Sequence, residues 1–146
     1  MGGGVLNALY VRGDLGRVAE RAGVDPADLV GRVGDAFVAL EVDGTSDFED
    51  DPDLSEASTT FGEAIRLQVT AFGTDDVFRY DHWRAGRLAR RLHVAPCVWT
   101  AVEGVPEPWE ERAFLASPKK GATVTLDTQG VLAALIKHVG LPAILV

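Results

Sequence analysis

The chain is poor in cysteine, tyrosine, histidine and lysine, with one, two, three and three of them among 146 residues. A lone Cys97 excludes an internal disulfide. Nowhere do the roughly 18 apolar residues of a membrane-spanning helix run together, and the Met1-Gly2-Gly3-Gly4 start has neither the basic nor the apolar region of a signal peptide. These absences predict a cytoplasmic protein. Also missing are a glycine-rich phosphate loop, GxSxG, HExxH and CxxC, the short patterns that announce nucleotide binding, acyl transfer or a zinc site. No cofactor and no metal are expected. No internal repeat or Ser/Gly linker divides the chain, so residues 1–146 read as a single domain.

What is present is ordinary in amount and uneven in placement. Apolar residues make up 47% and charged residues 25%, which fits a folded globular chain rather than a disordered one. The formal net charge is −8, from 22 acidic and 14 basic residues. Glu41, Asp43, Asp47, Glu49, Asp50, Asp51, Asp53 and Glu56 supply eight acids with no base among them, and elsewhere acids and bases balance at 14 each. The whole excess therefore sits in one segment. Residues 77–94 are the reverse, with Arg79, Arg84, Arg87, Arg90 and Arg91 against Asp81 alone. Overall acidity argues against nonspecific binding to nucleic acid or to an anionic membrane, both of which need a positive field. Arginine outnumbers lysine 11 to 3, and alanine, valine and glycine are abundant, a composition that suits a GC-rich bacterial genome.

Periodicity and punctuation give the elements. Val5 to Arg12 is mostly apolar and predicts a buried strand ended by Gly13. Asp14 offers an N-cap to a helix whose Leu15, Val18, Ala19 and Ala22 recur at helical spacing until Gly23 stops it. Asp25-Pro26 opens a second helix to about Val33. Ala36 to Val42 and Ala64 to Phe72 read as strands, the latter by strict alternation. Val77 to Arg84 and Arg87 to Val94 flank Ala85-Gly86 as a two-residue hairpin, and Cys97 to Val102 forms a third adjacent strand. A helix enters at Pro106 and runs to about Ala116. After a strand at Ala122 to Leu126, Asp127 or Thr128 caps a last helix with one apolar stripe, Val131, Leu132, Leu135, Ile136 and Val139, ended by Gly140 and Pro142. The fold class is α+β: an antiparallel sheet of five to six strands, with helices at both chain ends packed on one face. Residues 44–60 read as an acidic loop.

Four features invite a functional reading. Residues 15–33 place Ala19, Gly23 and Leu29 where a helix-turn-helix wants a small residue, a turn glycine and an apolar residue, and in that spacing the stretch resembles the family. Its would-be recognition helix carries Asp25, Asp28 and Asp35 against Arg32 alone, which repels phosphates, so two packed helices are expected instead. The acidic segment has the oxygen density of a calcium loop, but an EF-hand counted from Asp47 finds Pro52 and Ser58 where glycine and glutamate are required. Asp47, Glu49, Asp50, Asp51 and Asp53 are therefore candidate contacts for a basic protein partner, rather than cation ligands.

In the hairpin, a plain two-residue turn opposes Arg84 to Arg87, Trp83 to Leu88, Asp81 to Arg90, Arg79 to Leu92 and Phe78 to His93. That register puts Tyr80, His82, Arg84, Arg87, Arg91 and His93 on one face. Arginine interleaved with aromatic rings stacks bases and grips phosphates, so Tyr80, Arg84, Arg87 and Arg91 are candidates for anion, nucleotide or RNA binding. His82 and His93 are the candidates for a small enzyme, but they stand roughly 13 Å apart at strand rise, too far for joint metal ligation. Cys97, following Pro96, reads as a small buried thiol.

Two blocks, Phe78-x-Tyr80-x-x-Trp83-x-x-Gly86 with Arg91-Leu92, and Trp99-x-x-Val102-x-Gly104-x-Pro106-x-Pro108-Trp109-Glu110, resemble small bacterial domains of no assigned function. The resemblance implies no catalytic residues. The function expected from the sequence is a non-catalytic domain that binds another protein through its acidic segment, with a second copy of the chain as an alternative partner. Nucleotide or RNA binding through the arginine hairpin, and a small enzyme using His82 or His93, are the rival expectations.

Overall fold

The computed structural model describes residues 5–42, 51–70 and 77–142. Six strands form one antiparallel sheet: β1 (Val5–Arg12), β2 (Phe37–Val42), β3 (Glu63–Thr70), β4 (Val77–Arg84), β5 (Arg87–Val94) and β6 (Trp99–Gly104), in the spatial order β2-β1-β3-β4-β5-β6. The helices are α1 (Leu15–Ala22) and α2 (Pro26–Leu29) between β1 and β2, α3 (Asp51–Phe61) before β3, and α4 (Glu110–Ala113) and α5 (Thr128–Ala134) after β6. A π-helical turn over Leu135–Val139 extends α5 to Gly140, whose left-handed backbone ends it. The signals at α1 act as anticipated. The Asp14 carboxylate accepts the Arg17 amide at 2.9 Å, and Gly23 turns left-handed at φ 70°.

The helices cover both faces of the sheet, which corrects the expectation of one covered face. Strand β1 carries apolar side chains on both sides. Ala8 and Tyr10 join Ile65, Leu67, Tyr80, Leu92, Trp109, Leu132 and Leu135 in one core. Leu9 and Val11 join Val18, Ala19, Leu29, Leu54, Ala57 and Trp83 in the other. A strand that is apolar on both sides needs two covers. Here α4 and α5 supply one and α1 to α3 the other.

Residues 51–60, expected within the acidic loop, are helical, in a helix that runs on to Phe61. Proline sits in the first turn with Asp51 and Asp53 beside it, both favourable at the positive end of a helix. Leu54, Ala57 and Ser58 then recur on one buried stripe. Burying a leucine contributes roughly 2 kcal/mol, enough to order a helix that the count of acids concealed. Other boundaries contract. The second helix stops at Leu29, α4 spans four residues, and the strand expected at Ala122 to Leu126 is reduced to a single bridge between Val98 and Thr123. An α2 of four residues gives no recognition helix. Cys97 is exposed with φ 54°, so the expected buried thiol is instead a surface turn residue.

The hairpin contains the correction that matters most for the site. Ala85 and Gly86 turn with φ 49° and 81°, and Trp83 opposes Leu88 as anticipated. His82 then opposes Arg90, so Ala89 is an extra residue on β5, a β-bulge. From there outward the register moves by one: Asp81 faces Arg91, Arg79 faces His93 and Phe78 faces Val94. Strand β6 accommodates the bulge with Gly104, where a Cβ would lie 2.1 Å from the Ala89 carbonyl oxygen.

Candidate functional site

The bulge sends the polar side chains of the hairpin to opposite faces of the sheet. Tyr80, His82 and Arg90 turn toward the α4 side. Asp81, Arg91 and His93 turn toward the α3 side. Two separate polar clusters result.

The first is built by β3, β4, β5 and the segment from Pro106 to Glu110, which folds back over the sheet. Between its two prolines, Glu107 points inward and is nearly buried, as are Trp109 and Glu110. Its carboxylate accepts from Tyr80 Oη at 2.6 Å and Trp109 Nε1 at 3.0 Å on Oε1, and its Oε2 lies 2.6 Å from His82 Nδ1. The other ring nitrogen, His82 Nε2, lies 2.7 Å from Glu63 Oε2 at the start of β3. Burial pushes the imidazole down, but hydrogen bonds to Glu107 and Glu63 outweigh it and leave His82 above its ordinary value. An imidazolium can donate to both carboxylates at once, whereas a neutral ring has one N–H. Burial alone would raise Glu107; the His82 hydrogen bond and charge, with Tyr80 and Trp109, bring it down to about 2. The Tyr80 hydroxyl is pushed up, first by burial and then by the charge of Glu107. Arg84 lies 3.5 Å from both Glu63 and Glu107 and is half exposed, so it closes the cluster toward solvent.

Beside this lies a second buried pair. Arg90 grips Glu110 with both prongs, Nε to Oε2 at 2.9 Å and Nη2 to Oε1 at 2.7 Å, and Glu110 Oε2 also accepts the Glu107 amide at 2.7 Å. Arg90 reaches the carbonyls of Glu103 and Gly104 as well. These bonds hold the Pro106–Glu110 segment on the sheet.

On the opposite face Asp81 Oδ1 accepts from Arg91 Nε at 2.7 Å and lies 2.9 Å from His93 Nε2. Burial alone would raise Asp81; its His93 and Arg91 hydrogen bonds lower it. Arg91 also donates Nη2 to Asp51 Oδ1 at 2.6 Å, linking the hairpin to the first residue of α3. The turn is tied to the same helix, since Ser58 Oγ accepts the Gly86 amide and Ser55 Oγ donates to the Gly86 carbonyl, both at 2.8 Å. Helix α3, the described part of the acidic segment, thus lies against the arginine hairpin of its own chain.

Of the anticipated partner-binding acids, Asp51 and Asp53 are on α3, and Asp47, Glu49 and Asp50 lie outside the described residues. The anticipated anion-binding set is dispersed. Tyr80 is fully buried, Arg87 is exposed at the turn, and Arg84 and Arg91 are on opposite faces, the latter already paired with Asp81, Asp51 and Glu103. His82 and His93 also part company, one in each cluster. Glu63, Glu107 and Glu110 were missed by sequence reasoning, because nothing local distinguishes a carboxylate that folds inward from one left in water. The available signal was the pair of prolines around Glu107, which restrict its backbone before any contact forms. Among the described residues no group of three or more His, Cys, Asp or Glu could hold a metal ion, and no helix is long and apolar enough to cross a membrane.

Comparison of the chain with protein-family models, curated proteins and solved structures found no match. The geometry alone therefore carries the functional reading.

Proposed function

We propose that this chain is a non-catalytic protein-binding domain whose acidic segment, Glu41 to Glu56, receives a basic surface of another protein. The observation that carries the reading is the mounting of α3. Leu54 and Ala57 are buried in the core beneath it, while Asp51, Asp53 and Glu56 stay on the solvent side, and neither Asp53 nor Glu56 has a cation partner among the described residues. Burial of Leu54 outweighs the exposed Asp51–Arg91 pair, roughly 2 kcal/mol against less than about 1. The helix therefore stays docked when a partner's cations compete for its carboxylates.

The enzyme and polyanion readings have less support. Both ring nitrogens of His82 are engaged by carboxylates, which leaves no free base, and His93 is paired with Asp81. Tyr80 has no exposed face on which a base could stack. A second copy of the chain has weaker support than a different protein, because Trp83, Trp99 and Trp109 are all buried and offer no aromatic patch for self-association.

Capture experiments with the wild type and an Asp51→Asn, Asp53→Asn, Glu56→Gln variant test the proposal, using nuclease-treated bacterial lysate at low and high salt. A protein retained by the wild type at low salt, released at high salt and lost with the variant is the expected result. Equal capture by both proteins, or capture abolished by nuclease, overturns it. Sedimentation of the purified wild type and variant identifies a partner that is a second copy.

A further inference from the structure

At the end of the sheet where β1 finishes and β3 begins, the chain forms an opening of about 530 Å³ between the end of β1, helix α1 and the last turn of α3. Arg12, Arg17 and Arg21 line it together with Thr60, Phe61 and Gly62, and no carboxylate is among its lining residues. In a molecule of net charge −8 this is an unusual concentration of cations. Arg17 and Arg21 stand one turn apart on α1, a like-charge spacing that costs stability unless a counter-charge lies between them. Arg17 has no side-chain partner among the described residues. Arg21 uses one nitrogen, Nη1, on the Thr60 carbonyl, and Arg12 uses Nη1 on Glu63 Oε1, so both keep donors for a ligand. The cleft beside Pro106 differs in kind, because its one arginine, Arg90, is neutralised by Glu110.

We propose that this cleft binds a small phosphorylated ligand, its phosphate held by the guanidinium groups of Arg17, Arg21 and Arg12. Guanidinium forks match phosphate oxygens bidentately and stay charged at every physiological pH. A small anion fits the setting better than a nucleic acid. It needs only the local positive charge, whereas an extended polyanion must also approach Asp14, Glu20 and the rest of an acidic surface. Phe61 and the Thr60 side chain offer the ligand body one apolar and one polar contact.

The site lies at the far end of α3 from Asp51, so it stands or falls apart from the protein-binding proposal. Pyrophosphate is the probe, titrated into the full chain with calorimetry and with NMR of the arginine Nε–H groups, beside acetate and a single-stranded oligonucleotide. The expected result is saturable binding of pyrophosphate with shifts at Arg17 and Arg21, and affinity falling about tenfold in Arg17→Gln. Arg32→Gln, on an exposed residue outside the cleft, leaves affinity unchanged. Absence of saturable binding, equal affinity in Arg17→Gln, or tighter binding of the oligonucleotide than of pyrophosphate overturns the proposal. Because Arg17 is exposed and unpaired, the variant is expected to fold, and its unchanged melting temperature without ligand confirms that the readout is binding.

Discussion

Glu107 Oε2 lies 2.6 Å from His82 Nδ1, joining two side chains 25 residues apart in sequence and both nearly buried. The contact ties the Pro106–Glu110 segment to the centre of β4. Neutralising Glu107 leaves the buried His82 with Glu63 as its one remaining carboxylate, and breaking a buried pair costs about 3–5 kcal/mol. Glu107→Gln is therefore expected to lower the unfolding free energy obtained from urea titration by up to that amount, and a loss under about 1 kcal/mol would show that the pair is solvated in solution.

The same cluster sets the dependence of stability on pH. Glu107 is depressed from 4.5 to about 2, so its contribution is complete above 4.5 and is lost as pH falls toward 2. His82 is raised above 6.5, so its contribution is complete below 6.5 and is lost as pH climbs through the higher folded value. Stability should peak between 4.5 and 6.5 and fall on both sides. In His82→Gln the alkaline decline should shrink, measured as unfolding midpoints across a pH series. A decline as steep as in the wild type would mean that His82 is not its source.

The two aspartates bonded to Arg91 should differ sharply when changed. Asp81 is buried and serves both Arg91 and His93, so Asp81→Asn is expected to cost about 3 kcal/mol or more. Asp51 is half exposed, and Asp51→Asn should cost less than about 1 kcal/mol. Thermal unfolding of the two variants side by side checks the order; equal losses would contradict the assignment of Asp51 to the surface.

Gly104 supports the bulge at Ala89. Its φ of 88° disfavours any side chain, and an added Cβ would meet the Ala89 carbonyl oxygen at 2.1 Å. Gly104→Ala is expected to cost about 2–3 kcal/mol and to move the β5 and β6 amide resonances together. An alanine variant with wild-type stability would place the bulge elsewhere.

Much of the chain's local structure was written in its sequence. Asp14 and Gly23 bracket α1, Ala85-Gly86 makes the hairpin turn, and the Val131 to Leu135 stripe turns one face of α5 to the core. Each depends on residues within a few positions of one another, through a cap, a positive φ or a helical period, and such signals need no distant partner. The alternation of β3 likewise fixed a strand, and the strands running in succession implied an antiparallel sheet. Even the cover on both faces was latent in the apolar run Ala8-Leu9-Tyr10-Val11 of β1.

Tertiary structure alone decided which polar residues meet. Skipping Ala89 depends on the room left by Gly104 on β6, and that one residue sends Arg91 and His93 to the face opposite His82. Glu63, His82 and Glu107 come from three distant segments and share protons only after the sheet and the proline segment have closed around them. A carboxylate in a sequence carries the same formal charge in water or in a core. Its burial and its partners are properties of the packed molecule, and those properties separate the closed cluster at His82 from the acidic face of α3 and the open arginines at Arg17.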